Sequence, residues 1–257
     1  MLNQIDIQDI VAIAKKAGNA IMHVYKQDFE VEYKQNNSPV TLADKKANKI
    51  IEDYLNQLSV NLPVLSEESK EVYYEERKHW EYFWLVDPLD GTKEFIKKND
   101  DFTVNIALIH KDTPILGVVY APALDICYWA KLNEGAFKDG IKLPLKTEKE
   151  RQNYKIVVSR SHMSNQTQSF IDNIKTDKEK ELLSIGSSLK ICLVAEGEAD
   201  IYPRLGPTME WDTAAAHAIV NESLCCLNTY NIYDHNSKHT YNKESLLNKW
   251  FIVKTIV

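Results

Sequence analysis

The chain has 257 residues, of which 44% are hydrophobic, and it carries a formal net charge of −6 with a sequence pI near 5.7. This length fits one large domain or two modest ones, and the apolar content suffices for a full core. The acidic balance argues against a general nucleic-acid-binding protein, which would carry a basic surface. A small anionic substrate stays compatible with it, because bound metal ions can supply local positive charge.

The N-terminus and the cysteines indicate a reducing compartment. The first ten residues contain acids and no basic segment, so they do not read as a secretory signal. No apolar run reaches the roughly 18 residues that a membrane span needs. The cysteines (Cys127, Cys192, Cys225, Cys226) form no CxxC pair and are interpreted as small buried hydrophobic residues. We therefore expect a cytoplasmic protein. Peripheral contact with the inner membrane surface stays open, although the sequence contains no basic amphipathic helix that would explain it.

Helical periodicity dominates the first sixty residues. Apolar residues at helical spacing predict an amphipathic helix over residues 5–26 and a second helix that opens at Thr41 and extends to Leu58. Thr41 and Asp44 have the spacing of a capping box, in which side chains satisfy the first free backbone N–H groups. Turn-forming residues at 34–39 separate the two predicted helices.

Short apolar segments follow the second helix. They predict strands over residues 62–65, 82–86, 102–109, 115–120 and 125–131, with a charged loop or short helix over 70–81. Tight connections between successive strands are typical of an antiparallel meander. We therefore predict an N-terminal half, residues 1–150, in which helices pack on one mainly antiparallel sheet.

A charged stretch at 146–153 marks the predicted boundary between two halves. Beyond it, strands predicted over 155–158, 182–185, 199–202, 224–227 and 251–257 alternate with helices over 165–174, 187–196 and 213–221. Such alternation indicates an α/β organisation. The prediction is thus an α+β half at 1–150 and an α/β half at 151–257.

The most informative segment is YFWLVDPLDGTKEF, residues 82–95. Asp87 and Asp90 follow a buried strand, and two buried carboxylates are costly unless a cation lies on them. The proline between them fixes one φ angle and Gly91 relaxes another, so the chain can aim both acids at one point. Hard divalent cations prefer such oxygen ligands. If the segment from Thr92 onward is helical, its first backbone N–H groups can hold a phosphate.

Each acid in the chain also has a purely structural interpretation. Asp87 and Asp90 could form a turn, Asp44 could only cap its helix, and Glu67 could belong to a solvated loop. Asp212 could be the N-cap of an alanine-rich helix. The chain contains no GxxxxGK[ST], GxGxxG, HExxH or GxSxG motif, which disfavours P-loop NTPases, Rossmann oxidoreductases and zinc proteases.

The acidic motifs in combination resemble a known family. DPLDGT at 87–92, EE at 67–68 and WD at 211–212 are similar to the signatures of the lithium-sensitive, magnesium-dependent phosphomonoesterases typified by inositol monophosphatase. The resemblance extends along nearly the whole chain. The segments GSSLK at 186–190 and YPR at 202–204, with SRSH just past the boundary, look most like the bacterial 3′(2′),5′-bisphosphate nucleotidase branch. This resemblance implies a layered αβαβα sandwich.

The resemblance also implies a site for two, or as many as three, Mg²⁺ ions. Glu67, Asp87 and the backbone carbonyl of Leu89 would hold one ion. Asp87, Asp90 and Asp212 would hold a second ion. The physical case agrees, because unaided phosphate monoesters hydrolyse extremely slowly, and two metal ions can activate water and stabilise the charge that develops.

Further residues are placed around these ions by resemblance. Asp44 and Thr92 would form a dyad near a metal-bound water, and Glu67 and Thr92 would orient the attacking water. The residues expected to contact substrate are Gly91, Thr92, His162, Ser187, Lys190, Arg204 and Asp212. One at a time, Arg160, Lys190 and Arg204 could also be ordinary surface bases.

The expected reaction is hydrolysis of the 3′-phosphate of adenosine 3′,5′-bisphosphate, which gives AMP. The same reaction could extend to 3′-phosphoadenosine 5′-phosphosulfate, which would give adenosine 5′-phosphosulfate. Either reaction would serve sulfur assimilation or nucleotide recycling. Two alternatives remain open: an inositol or sugar phosphatase with the same metals, and a non-catalytic protein that senses the nucleotide. The family also implies inhibition by lithium. The sequence leaves undecided the preference between 3′- and 2′-phosphates and the choice between monomer and dimer.

Overall fold

The computed structural model describes residues 1–27, 31–33, 39–146, 151–160, 163–231 and 234–256. Besides a 3-10 turn at Leu2–Gln4, the helices are α1 (Ile7–Tyr25), α2 (Leu42–Leu55), α3 (Tyr74–Arg77), α4 (Thr92–Ile96), α5 (Asn165–Asp172), α6 (Leu189–Ala195) and α7 (Glu210–Asn221). The strands are β1 (Val31–Tyr33), β2 (Pro39–Thr41), β3 (Val64–Ser66), β4 (Tyr82–Asp90), β5 (Thr103–His110), β6 (Thr113–Ala121), β7 (Ile126–Lys131), β8 (Gly135–Lys138), β9 (Ile141–Lys142), β10 (Tyr154–Ser159), β11 (Lys180–Ile185), β12 (Ile201–Arg204), β13 (Cys225–Asn231), β14 (Asp234–Lys238) and β15 (Phe251–Thr255).

The first large sheet has seven strands in chain order, from β3 to β9. Strand β3 runs parallel to β4, and the other neighbouring strands are antiparallel. The amphipathic helices α1 and α2 cover one face, where their buried residues join an apolar core that includes Trp84 and Phe102. Thr41 and Asp44 form the predicted capping box at the start of α2. The N-terminal part of the fold is therefore helices on a mainly antiparallel sheet, as the sequence predicts.

The second large sheet has six strands in the order β11-β10-β12-β15-β13-β14. Strand β10 is parallel to both β11 and β12, and the remaining pairs are antiparallel. Helix α5 packs on its outer face, and α6 and α7 lie between the two large sheets. At Gly117 in β6, an added Cβ would come within 2.2 Å of the Ala215 carbonyl oxygen, so α7 approaches this sheet too closely for any side chain there. The five layers are those of the αβαβα sandwich.

The structure differs from the predicted elements in several places. Strand β4 extends to Asp90 instead of ending at residue 86, because the chain stays paired with β5 through a β-bulge. The short strands β1, β2, β8 and β9 and the edge strand β14 were not predicted. Helix α6 begins two residues after Ser187, and Asp212 is the third residue of α7 instead of its N-cap. The division into two domains at residue 150 stays a prediction.

Within the described ranges, none of the helices is both long enough and apolar enough to span a lipid bilayer.

Candidate active site

A cleft of about 620 Å³ opens where the carboxyl end of β4 meets the first turns of α6 and α7. Besides Lys93 and Glu94, two groups of charged side chains line it. We call Glu67, Asp87, Asp90 and Asp212 the acidic cluster, and Lys190 and Arg204 the basic pair. Five different segments of the chain supply the acidic cluster and basic pair, so the tertiary structure brings together residues up to 145 positions apart.

Backbone hydrogen bonds fix the acids in place. The N–H of Glu67 donates to the Val86 carbonyl at 3.1 Å, which continues the pairing of β3 with β4. The Asp87 carboxylate accepts the Leu89 N–H at 3.0 Å, and the Asp212 carboxylate accepts the Met209 N–H at 2.8 Å. Carboxylate oxygens of Glu67, Asp87 and Asp212 lie within 4.8 Å of one another. These three oxygens surround one point, and oxygen donors of this kind suit Mg²⁺.

The acidic cluster is electrostatically unfavourable by itself. Burial, reinforced by the charges of Glu67, Asp90 and Asp212, raises the pKa of Asp87 well above its ordinary value. Burial and the nearby Asp90 likewise raise the pKa of Asp212. Burial also raises the pKa of Asp90, although Lys190 opposes the shift. A divalent cation would relieve this repulsion, so the chemistry of the donor set fits the metal that the sequence predicts.

Asp44 and Thr92 form a hydrogen-bonded pair beside the acids. The Thr92 hydroxyl lies 3.3 Å from Asp44 Oδ1 and 3.3 Å from the Leu89 carbonyl oxygen. Asp44 Oδ2 accepts the N–H and the hydroxyl of Thr41, each at 2.7 Å. Burial raises the pKa of Asp44, and these hydrogen bonds from Thr41 oppose the shift. The capping box thus holds a carboxylate against Thr92, so capping of α2 is compatible with the predicted role of Asp44 at the site.

The turn from β4 into α4 depends on Gly91. Its φ of +92° lies in the left-handed region, and an added Cβ would come within 3.0 Å of the Asp101 carbonyl oxygen. Both Gly91 and Thr92 line the cleft. The predicted contact of their backbone N–H groups with a phosphate stays a prediction.

The basic pair faces the cleft from α6 and β12. Burial lowers the pKa of Lys190 to about 8, and its Nζ donates to the Ser187 carbonyl and lies 5.9 Å from the centre of the Tyr202 ring. Arg204 donates from Nη2 to the Pro207 carbonyl at 2.8 Å. Its Nε is buried without a hydrogen-bond partner among the described residues. Arg204 therefore keeps a donor that a ligand could use.

Other predicted contacts have different outcomes. Ser187 lines the cleft with a φ of +48°, a conformation that non-glycine residues adopt rarely and often at functional sites. His162 lies outside the described residues. Arg160 pairs with Asp101 at 3.0 Å and does not line the cleft.

Sequence reasoning did not single out Ser188, Tyr202 and Phe251, which also line the cleft. Ser188 stands next to Ser187 in the GSSLK segment. The predicted substrate contact of Ser187 could therefore have pointed to Ser188 as well. Tyr202 and Phe251 occupy buried strand positions, where apolar periodicity predicts only core packing.

Comparisons with known proteins agree with this geometry. The family model described as "Inositol monophosphatase family" matches residues 2–244. A protein named 3′(2′),5′-bisphosphate nucleotidase CysQ from Salmonella typhimurium is 48% identical over 217 residues, which cover 83% of this chain and 86% of that protein. A protein of the same name from Haemophilus influenzae is 38% identical over 259 residues, covering 98% of this chain and 93% of that one.

A solved structure extends the similarity to three dimensions. The crystal structure of CysQ from Bacteroides thetaiotaomicron superposes with a TM-score of 0.85 at 42% identity. The match covers 97% of this chain and 96% of that one. The similarity therefore includes both large sheets and the helices between them.

Proposed function

The chain belongs to the inositol monophosphatase family, and we propose that it is a metal-dependent 3′(2′),5′-bisphosphate nucleotidase. In the proposed reaction, water releases the 3′-phosphate of adenosine 3′,5′-bisphosphate and leaves AMP. The observation that carries the proposal is the approach of Glu67, Asp87 and Asp212 within 4.8 Å in a cleft that also contains the basic pair. The names and extents of the relatives at 38–48% identity support the choice of substrate.

The acidic cluster would hold the metal ions. Glu67, Asp87 and the Leu89 carbonyl are the proposed ligands of one Mg²⁺, and Asp87, Asp90 and Asp212 those of a second one. When bound, Mg²⁺ supplies positive charge that stabilises the phosphoryl oxygens and the leaving 3′-oxygen. The raised pKa values of Asp87 and Asp212 support this assignment, because burial and the neighbouring carboxylates make a negative charge at these positions unfavourable without a cation.

Thr92 and Asp44 would orient the attacking water. With its hydroxyl proton donated to Asp44 Oδ1, Thr92 keeps lone pairs that can accept a hydrogen bond from water. The Glu67 carboxylate, on the same cleft, would accept the second proton of that water. The water oxygen then faces the phosphorus atom, and the backbone N–H groups of Gly91 and Thr92 would hold the phosphate during the displacement.

The basic pair would bind the phosphate that is not removed. A substrate with two phosphates needs cationic groups away from its reacting phosphorus, and Lys190 and Arg204 provide them in the same cleft. The Arg204 Nε, which has no hydrogen-bond partner among the described residues, supports this placement. His162 is proposed as an additional contact on resemblance alone.

The proposal is tested by phosphate release from adenosine 3′,5′-bisphosphate, inositol 1-phosphate and fructose 1,6-bisphosphate at equal concentration with Mg²⁺. We expect the nucleotide to be turned over fastest and millimolar LiCl to inhibit. Equal or better turnover of either sugar phosphate would remove the nucleotide assignment.

A companion variant separates an enzyme from a sensor. Asp90→Asn should abolish most turnover of an enzyme, whereas a protein that only senses the nucleotide has no turnover to lose and should still bind it. Calorimetric titration of the variant with the nucleotide reports the binding.

A further inference from the structure

A chain of buried polar side chains lies directly behind the acidic cluster. It begins on β5, where Thr103 is paired across the strands with Asp90, and Asn105 with Asp87. The Thr103 hydroxyl donates to Asn105 Oδ1 at 3.0 Å, and Asn105 Nδ2 donates to Ser188 Oγ at 2.9 Å. All three side chains are at most 3% exposed. Hydrogen bonding in this segment is therefore isolated from bulk water.

Ser188 connects that chain to two of the acids. Its Oγ lies 2.9 Å from Asp90 Oδ2 and within hydrogen-bond distance of the Asp212 backbone carbonyl. A hydroxyl has one proton to donate, and its lone pairs accept. Because Asn105 Nδ2 already donates to the oxygen, the Ser188 proton is directed to acceptors that both belong to residues of the acidic cluster. A bond to an ionised carboxylate is the stronger of the two kinds.

The same side chain joins the parts of the fold that must meet at the site. Asn105 belongs to the seven-stranded sheet, Ser188 precedes α6, and the Asp212 carbonyl belongs to α7. A carboxylate ligand needs a partner that fixes its orientation, since a metal ion accepts little variation in ligand geometry. The Asp90 carboxylate has this partner in Ser188 and, through it, in Asn105.

We propose that Asn105 and Ser188 are positioning residues that orient the Asp90 carboxylate and couple it to α7. This inference rests on the proposed metal-dependent function and adds to it a pair of buried residues that lie behind the acidic cluster. Loss of the Ser188 hydroxyl removes one hydrogen bond that orients Asp90. Loss of Asn105 removes the hydrogen bond that fixes this hydroxyl. In either case the ions held by Asp90 should bind more weakly.

The test measures metal binding directly. Wild type, Ser188→Ala, Ser188→Thr, Asn105→Ala and the double variant Ser188→Ala/Asn105→Ala are titrated with Mn²⁺, which takes the same oxygen ligands, and the unbound ion is followed by electron paramagnetic resonance. We expect Ser188→Ala to weaken Mn²⁺ binding by about 10-fold to 100-fold. Ser188→Thr keeps the hydroxyl and should stay close to wild type.

The double variant tests the connection between the two residues. If they act in series, it should lose no more Mn²⁺ affinity than the weaker-binding single variant, because contacting residues are not additive. Ser223→Ala removes a hydroxyl that bonds the Val220 carbonyl at 2.9 Å at the far end of α7, and it serves as the matched control. Thermal unfolding of each metal-free variant shows whether it is folded. If Ser188→Ala does not fold, the Mn²⁺ affinity of Asn105→Ala tests the positioning role instead.

The outcomes separate the two proposals. Wild-type Mn²⁺ affinity in folded Ser188→Ala, or strictly additive losses in the double variant, overturns the positioning role and leaves the nucleotidase proposal standing. A wild-type protein that neither binds Mn²⁺ nor releases phosphate removes both. A lower melting temperature with unchanged Mn²⁺ affinity would mean that the two residues serve the fold alone.

Discussion

The acidic cluster and the basic pair occupy one cleft but carry charges of opposite sign, and burial is unfavourable for the charges of both groups. The acids are buried together, which raises the pKa of Asp87 and Asp212, while burial lowers the pKa of Lys190 to about 8. For Asp87, Asp212 and Lys190 alike, burial disfavours the charged form. The acidic cluster is relieved by cations and the basic pair by anions, so the cleft is suited to a metal ion and a phosphate ester bound side by side.

The two groups also differ in how they are held. Backbone N–H groups fix the carboxylates of Asp87 and Asp212, so these acids keep their places without a ligand. Lys190 and Arg204 instead donate to the backbone carbonyls of Ser187 and Pro207 and retain further donors. Rigidly held acids suit a metal ion, because the ion requires a fixed ligand geometry. Long cationic side chains can instead adjust to the position of a phosphate group.

The largest expected effect comes from the acidic cluster. Asp87→Asn keeps the acceptor for the Leu89 N–H but removes a metal ligand, so turnover should fall by more than roughly 100-fold at any Mg²⁺ concentration tested. In metal-free buffer the same variant should melt at a higher temperature than wild type, because it removes a buried charge repelled by three neighbours.

The two measurements for this variant are steady-state turnover and thermal unfolding with chelator. Asp53→Asn, in the exposed pair that Asp53 forms with Lys49 on α2, is the matched control and should change neither quantity. A lower melting temperature for Asp87→Asn in metal-free buffer would contradict the electrostatic account of the acidic cluster.

A smaller effect is expected from the basic pair. Arg204→Met removes donors proposed to bind the second phosphate, so KM for adenosine 3′,5′-bisphosphate should rise by roughly 10-fold or more. For adenosine 3′-monophosphate, which lacks the second phosphate, KM should change much less. Arg160→Met serves as control, because Arg160 pairs with Asp101 outside the cleft. Equal changes in KM for both substrates would place Arg204 elsewhere in the reaction.

The smallest effect is a pH dependence of the basic pair. Burial lowers the pKa of Lys190 to about 8. Its side chain is therefore fully charged well below pH 8, and the charge is lost as the pH rises through this value. KM for the bisphosphate should therefore be about twice its low-pH value at pH 8 and rise further above it. Lys190→Arg stays charged throughout, so its KM should be flat over the same interval. A wild-type profile that is equally flat would exclude Lys190 as a charged contact.

Most of the secondary structure could be predicted from local patterns. The helical spacing before Tyr25 and the capping box at Thr41 gave α1 and α2, and their apolar faces are buried as expected. The strands from β4 to β7 follow the buried runs. Patterns failed where pairing is not visible in the chain itself: β4 continues past the turn-forming proline because β5 pairs with it, and the edge strand β14 has no apolar signature.

The candidate site was predicted in part. The acids could be named because carboxylates beside buried strands are costly and each stands in a motif of a known family. The hydrogen bond between Asn105 and Ser188 could not be predicted, because the two residues are 83 positions apart and each is an ordinary polar residue in its own segment. Likewise, Arg160 reads like Arg204 in the sequence, and only the ion pair with Asp101 sets them apart.

By itself, the sequence determined which residues are too polar or too charged to be buried without a partner, and hence the chemistry of the site: oxygen ligands, a small hydroxyl, and cations for a phosphate. Tertiary structure decided which of them meet. Side-chain type and local spacing fix a residue's own preferences, whereas distances between Glu67, Asp87 and Asp212 depend on how two sheets pack against α6 and α7. That packing is set by apolar contacts spread over the whole chain.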